Sequence, residues 1–215
     1  MDNYDSILNQ GMSLVSGEKY LEAKAVFKKL ILINKKRYEA YLNISNIEII
    51  YKNYDDSELI LKDFTKVNGY NKEIISAIAS LYYNIHDINK LKKILKKYIN
   101  RDENYILFYL NAILLEENNN INNSIIFYNK TLNSNAKFWP AYEKLFDLYE
   151  RADKISNYKE LIDLSSNLFK EDERLIYYKV LYEQRTNNSS FALILINKHD
   201  LENKFIESSN TNYLI

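Results

Sequence analysis

The sequence predicts an all-α chain, an α-α superhelix (solenoid) of about six antiparallel helix-pair repeats. Three observations predict it. Apolar residues recur at i, i+4 and i+7 within segments of helical length. The same order of large and small residues returns about every 34 positions. Breaks between the segments are short and polar, with only 3 Gly and 1 Pro in 215 residues. Hairpin-rich β folds and phosphate-cradling loops draw on more of these turn residues.

In the first pair, Ile7, Gly11 and Leu14 share one face, and Ala23, Phe27 and Leu30 share the next. A step of 34 leads to Tyr41, Ser45, Tyr54, Ser57, Leu61 and Phe64. A second step of 34 leads to Ile75, Ala79, Tyr82, Ile88, Leu91, Leu95 and Tyr98. A step of 33 gives Phe108, Ala112, Leu115, Ile121, Ser124, Tyr128 and Thr131. A further 34 gives Tyr142, Phe146, Tyr149 and Ile155. The second helix of that fifth repeat is expected to carry about three inserted residues, which places Leu161, Ser165 and Leu168 on its buried face. Tyr177 and Leu181 are expected to open a sixth repeat that Leu193 and Ile196 continue. The repeats fall near 4–37, 38–71, 72–104, 105–138, 139–170 and 171–197, with 198–215 a tail or the start of an incomplete next repeat.

Turns within repeats are expected at Ser16-Gly17-Glu18, Lys52-Asn53, His86-Asp87, Asn118-Asn119-Asn120 and Ala152-Asp153, their Asn and Asp residues serving as helix N-caps. Pro140 falls in the first turn of a predicted helix, where a missing N–H costs little. Gly11, Ser45, Ala79 and Ala112 occupy one register on the first helices, and Ala23, Ser57 and Ser124 another on the second. Small side chains there let two helix axes approach, and the large residues four positions away fill the neighbouring groove.

These residues resemble the tetratricopeptide repeat over roughly residues 4–197, with Gly11, Ala23 and Phe27 nearest the family pattern. The sequence departs from it at Lys35, Gly69, Glu103 and Ala136, where a proline usually ends the repeat, and at Phe146 and Leu91, where small residues are expected. The resemblance implies a right-handed superhelix whose first helices line a concave groove. Carried over, the groove positions are Glu39, Leu42, Asn46, Glu73, Ser80, Tyr83, Tyr109, Glu116, Glu143, Asp147 and Glu150, with Asp5, Leu8, Met12, Tyr178 and Tyr182 extending the series. Leu8, Met12, Ser76 and Ala77 stand where one subset of the family holds a C-terminal carboxylate with Lys and Arg, which rejects that mode. The groove reads instead as acidic and aromatic, suited to a basic or amphipathic protein or peptide. More weakly, Tyr177–Tyr182 and Phe191-Ala192-Leu193 are similar to late repeats of the N-terminal arrays of sulfotransferase-like proteins. Pentatricopeptide repeats, which read RNA, would bring a basic surplus that is lacking here, and a non-repeating bundle would not hold register over four steps.

Composition narrows the chemistry. Lys plus Arg and Asp plus Glu number 29 each, so no basic excess points to nucleic acid. Residues 1–102 carry net +4 and 103–215 net −4, a shallow polarity. No Cys is present, which excludes disulfides and thiol chemistry. His86 and His199 have no ligand partner at helical spacing, and no His-Glu-x-x-His, Gly-x-Ser-x-Gly or Walker pattern occurs. The run Lys90–Lys97 reads as a helix with Leu91, Ile94 and Leu95 inside and its lysines in water. No cofactor or metal is expected. The acidic opening and the lack of an apolar run of roughly 18 residues predict a cytoplasmic address without a membrane span.

The expected function is a non-catalytic protein–protein interaction scaffold. The alternative is the recognition region of a larger sulfotransferase-like enzyme. The apolar Phe191–Ile196, with no capping helix read after it, leaves a longer polypeptide, a frayed tail or a homo-oligomer contact as the expectations for the C-terminal end.

Overall fold

A computed structural model describes residues 3–199. Among them lie twelve α-helices and no strand: α1 (Asn3–Ser16), α2 (Tyr20–Ile33), α3 (Glu39–Ile50), α4 (Tyr54–Asn68), α5 (Lys72–Asn84), α6 (Ile88–Tyr98), α7 (Tyr105–Glu117), α8 (Ile121–Ser134), α9 (Trp139–Arg151), α10 (Ile155–Ser166), α11 (Glu173–Arg185) and α12 (Ser189–His199). Odd and even helices form six pairs. The expected tail 198–215 lies outside the described residues from 200 onward.

One backbone device joins every pair. Glu18, Lys52, His86, Asn119, Asp153 and Asn187 all take φ of 54–61°, in the left-handed region. Each sits just past a first helix. Its own N–H donates to a carbonyl three residues back (2.9–3.2 Å), and the next N–H donates to a carbonyl five residues back (2.8–2.9 Å). This Schellman arrangement satisfies carbonyls that a helix end leaves open. The residue after the left-handed one, such as Lys19, Asn53 or Asp87, also offers its carbonyl to the first N–H bond of the second helix. One residue therefore ends one helix and starts the next.

The expectation that turn Asn and Asp side chains act as N-caps needs correcting. Asp87 does accept from the Lys90 N–H at 3.0 Å. Asn53 and Asn120 make no cap bond with their side chains. Asn53 donates instead to Glu48, and Asp153 occupies the left-handed position itself. At Asn53, as at Asp87, the backbone carbonyl accepts from the second helix, so that helix is anchored whether or not the side chain also caps it. Pro140 lies in the first turn of α9, as its missing N–H requires.

The small residues meet where paired helices cross. Ser45 and Ser57 share a buried Oγ···Oγ hydrogen bond of 2.8 Å. A Cβ added to Gly11 would lie 2.4 Å from the Phe27 ring, which is fully buried. Ala79, Ala112 and Ser124 are likewise fully enclosed. In the fifth pair the crossing is filled by rings, with Phe146 and Tyr158 centroids 4.9 Å apart. The departures at Leu91 and Phe146 are thus accommodated inside the core.

Two register expectations are overturned. The left-handed residues step 119, 153, 187 without a shift, so no three-residue insertion precedes α10. Its buried face carries Tyr158, Leu161, Ile162 and Ser165, while Leu168 lies beyond the helix and is exposed. In α11 the buried residues are Leu175, Ile176 and Val180, one position before the expected Tyr177 and Leu181. Apolar residues stand on both faces of this segment, and periodicity alone selected the wrong adjacent pair.

Backbone packing divides the chain into two compact units, Met1–Asn111 and Ala112–Ile215, with the boundary inside α7. In the first, α1 to α6 each pack on the next helix in sequence, burying Phe27, Leu30, Ile47, Leu61, Ile74 and Leu81. In the second, α8 to α12 do the same around Tyr128, Tyr142, Leu145, Phe146 and Leu175. Among the described residues of the first unit, Glu48 is the one carboxylate that is almost wholly enclosed; Lys24 pairs with it and Asn53 donates at 3.1 Å. Glu58 on α4 meets Lys62, Lys90 on α6 at 3.0 Å and the Tyr82 hydroxyl at 2.9 Å. Burial works against its charge, but these donors outweigh it and hold the Glu58 carboxyl down at about 2.

Four measurements check this account. Phe27→Ala should lower stability by about 3–5 kcal/mol, whereas Lys28→Ala on the exposed face should stay within about 0.5 kcal/mol of neutral, both read by urea unfolding. Gly11→Ala should destabilise by about 1–3 kcal/mol through overpacking, although Ala is the better helix former. Lys52→Gly should stabilise by about 0.5–1 kcal/mol and Asn119→Gly by less, because Asn tolerates the left-handed region. For Glu58, a carboxyl depressed in the folded state contributes stability above its ordinary value of 4.5 that is lost as pH falls toward 2; Glu58→Gln should flatten that part of an acid-unfolding profile.

Candidate functional site

The groove positions expected from the sequence all lie on first helices: Glu39, Leu42 and Asn46 on α3, Glu73, Ser80 and Tyr83 on α5, Tyr109 and Glu116 on α7, and Glu143, Asp147 and Glu150 on α9. Helical spacing puts Glu143, Asp147 and Glu150 on one face, at i, i+4 and i+7. What each side chain meets differs sharply between positions.

In the first unit the structure gathers Asp5, Arg37 and Glu39. The Arg37 guanidinium lies 3.0 Å from Asp5, 2.8 Å from Glu39 and 4.4 Å from the centre of the Tyr4 ring. Glu39 Oε2 and the Tyr4 hydroxyl are buried without a hydrogen-bond partner, and burial pushes that hydroxyl up. Burial, with Glu73 and Glu39 nearby, also raises the Tyr38 hydroxyl. Asn46 and Glu73 are exposed, whereas Leu42, Ser80, Tyr83 and Tyr109 are half-buried. Ser76, beside them, belongs to a structural knot in which buried Asn104 receives the N–H groups of Ile106 and Leu107 and exchanges hydrogen bonds with Ser76.

In the second unit the acidic wall is largely compensated. Glu116 accepts from the Tyr128 hydroxyl at 2.7 Å and pairs with Arg151 at 2.9 Å and Lys144 at 3.5 Å. Burial opposes its charge, but these partners hold it below the ordinary carboxylate range. Glu150 faces Arg185 at 3.9 Å, and Arg185 also reaches Asp153 at 2.8 Å. Glu143 accepts the Trp139 indole N–H at 2.6 Å. Asp147 is different. It forms no ion pair among the described residues and meets only the Tyr178 hydroxyl, at 3.5 Å. The residue is exposed, yet desolvation by its neighbours raises its carboxyl above the ordinary range, with Lys144 and Arg151 opposing that rise and Glu150 and Glu143 adding to it.

Aromatic rings back this face. Tyr178 stacks on Phe146 at 4.3 Å and 15°. Tyr182 stacks on Tyr158, and the Arg174 guanidinium lies 4.5 Å from the Trp139 ring centre. Burial drives the Tyr158 and Tyr178 hydroxyls well up, so both stay protonated donors.

Sequence reasoning missed the cations. Arg151 and Arg185 end α9 and α11, 34 positions apart, and Glu116 and Glu150 are also 34 apart. Each Arg reaches back to the Glu of the preceding first helix. The shared step was the available signal; it was overlooked because charges were read within helices and not between repeats.

The lysine run forms α6 as expected, with Leu91 and Leu95 buried and Lys92, Lys93, Lys96 and Lys97 exposed. His86 sits exposed in a left-handed turn, and the His199 side chain lies outside the described residues. Among the described residues, no group of three His, Cys, Asp or Glu side chains is placed to hold a metal ion, and no helix is long and apolar enough to cross a membrane.

Comparison with known proteins agrees with this architecture. A family model for anaphase promoting complex subunit 8 / Cdc23 matches residues 15–211. No curated protein matches the chain. Among solved structures, Pseudomonas aeruginosa pilF is similar at a TM-score of 0.69 and 11% identity, covering 97% of both chains. The hetero-tetramer Cut9–Hcn1 of the APC/C gives 0.65 and 12%, covering 91% of this chain and 39% of that one. YrrB, described as a TPR protein with an unusual peptide-binding site, gives 0.51 and 10%, covering 80% of this chain and 90% of that one. At such identities the likeness shows the fold, which is that of tetratricopeptide-type helix pairs. None of these matches supports the sulfotransferase likeness.

Opposite signs are expected from two carboxylates of the same face. Glu116→Gln removes a carboxylate held low by its partners and should cost about 1 kcal/mol. Asp147→Asn removes one the fold holds high and should be neutral to stabilising within about 0.5 kcal/mol. Thermal unfolding at neutral pH reads both.

Proposed function

The chain belongs to the anaphase promoting complex subunit 8 / Cdc23 family, and we propose that it acts as a non-catalytic protein–protein interaction scaffold. In this reading the helix pairs near 4–37, 38–71, 72–104, 105–138, 139–170 and 171–197 form one array, and first-helix faces receive a protein or peptide. The carrying observation is Asp147: an ion-pair-free carboxylate with Glu143 and Glu150 one turn away on either side and the Tyr178 ring against it. A Lys or Arg side chain from a partner would complete that constellation. It would meet charge at Asp147 and a flat ring at Tyr178, while Glu116 and Glu150 stay engaged with their arginines. The ligand is therefore a basic or amphipathic segment. YrrB, a peptide-binding protein by its description, supports a peptide as the occupant. Binding of this kind weakens with salt, because rim charges steer association.

Anisotropy titration with a labelled basic amphipathic peptide tests the reading. Reversing Glu143, Asp147 and Glu150 to Lys together should weaken binding about tenfold or more, equal to about 1.4 kcal/mol, and Asp147→Lys alone should account for most of the loss. Unchanged affinity in variants that keep their helical circular dichroism would remove the proposal.

A further inference from the structure

The second helix α6, in the first unit, exposes charge of one sign only. Its exposed charged side chains are Lys92, Lys93, Lys96 and Lys97. Leu91 and Leu95 are buried and Ile94 and Tyr98 half-buried, so the apolar face of the helix lies against the core. None of the four lysines forms an ion pair among the described residues. The carboxylates at hand, Glu58 on α4 and Asp87 at the helix start, are taken by Lys62 and Lys90. Lys97 rests 4.9 Å from the centre of the Tyr98 ring, which leaves its charge unneutralised. Lys92 and Lys96, Lys93 and Lys97, and Lys93 and Lys96 stand four or three residues apart, a spacing at which like charges destabilise a helix.

The repeat does not require this repulsion. One repeat earlier, the same positions on α4 hold Glu58, Leu59, Lys62 and Asp63; two repeats later, on α10, they hold Lys159, Glu160, Asp163 and Leu164. On α2 they hold Lys24, Ala25, Lys28 and Lys29, but there Glu48 pairs with Lys24 and feels the charge of Lys28. On α6 the matching carboxylate is missing, so the complement sought is an anion from outside the helix pairs.

The surroundings select the kind of anion. Exposed Asp55, Asp56 and Asp63 lie on α4, which Glu58 ties to Lys90 of α6, and exposed Asp102 and Glu103 follow the helix. These carboxylates limit the basic strip to about the 16 Å of an eleven-residue helix. An anionic bilayer or a nucleic-acid duplex extends past such a strip and would meet the flanking carboxylates. A helix that docks on lipid inserts an apolar face, and the apolar face of α6 is turned to the core. Single-stranded nucleic acid is held by stacked rings and arginines as well as charge, and the exposed positions of α6 carry neither. A short run of Glu or Asp meets only the lysines.

We infer that the lysine face of α6 is a docking site for a short acidic segment of a partner protein, whose carboxylates pair with Lys92, Lys93, Lys96 and Lys97. It needs no residue of the Asp147 face and takes a ligand of the opposite charge.

The test uses the full chain and a labelled helical peptide with glutamates at i, i+3, i+4 and i+7. Anisotropy measures affinity, and amide NMR shifts locate the peptide; shifts are expected to cluster on α6. Replacing all four lysines by glutamine should weaken binding about tenfold or more. Lys28→Gln with Lys29→Gln on α2, and Asp147→Lys, should each leave it unchanged. Lys92→Glu with Lys96→Glu should lose the acidic peptide and gain one whose glutamates are replaced by lysines, a reversal that a loss of helix would not produce. Absence of binding, shifts away from α6, or equal affinity of the glutamine variant would overturn the proposal. Tighter binding to phosphatidylserine vesicles or to single-stranded DNA than to the peptide would also overturn it, as would wild-type self-association in light scattering that the glutamine variant abolishes, which assigns the face to a second copy.

Discussion

A left-handed residue after every first helix is the constraint from which the rest of the structure follows. At Glu18, Lys52, His86, Asn119, Asp153 and Asn187 the chain reverses within three residues, closes the carbonyls of one helix and opens the next. A turn that short allows only one partner, the helix just completed. It also sets the crossing point. The residue five positions on, from Ala23 through Ser57, Leu91, Ser124 and Tyr158 to Ala192, is buried in every pair. None of the six left-handed residues is glycine, so each turn holds backbone strain that helix packing must overcome.

Because the turn fixes the pair, the crossing can vary in size without loss of the fold. Ser45 and Ser57 meet through a hydrogen bond, Gly11 yields to the Phe27 ring, and Phe146 meets Tyr158 as ring on ring. Most packing lies between helices adjacent in the chain, which keeps sequence separation short and makes the architecture tolerant of divergence. That tolerance fits identities of 10–12% to structures of the same fold.

The first-helix face shows how a repeat converts a periodic sequence into a selective surface. The pairs Glu116–Arg151 and Glu150–Arg185 recur with the repeat and tie one first helix to the next. Asp147 lies between these pairs without such a partner, and the fold holds its carboxyl high. A repeated ion pair is therefore structural, and the break in the repetition is where recognition has room to act.

Helix number, pairing and the small-residue crossings were legible in the sequence, because a period of about 34 is carried by residue size and polarity, which act locally. The absence of side-chain caps at Asn53 and Asn120 was hidden, since Asp87 at the equivalent place, with nearly the same backbone angles, does cap its helix and no local pattern separates them. The burial of Ile176 and Val180 in place of Tyr177 and Leu181 was likewise hidden, as a helix apolar on both faces offers two registers to periodicity. Charge state at the candidate face was least legible of all. Residues 35 apart in sequence neutralise one another, and whether a carboxylate is engaged, as in Glu116, or open, as in Asp147, depends on distances across helices that no local pattern encodes. The amino-acid order alone determined a stack of helix pairs; the packing of those pairs decided which of its charges were left for a partner, because electrostatic pairing is a property of three-dimensional proximity.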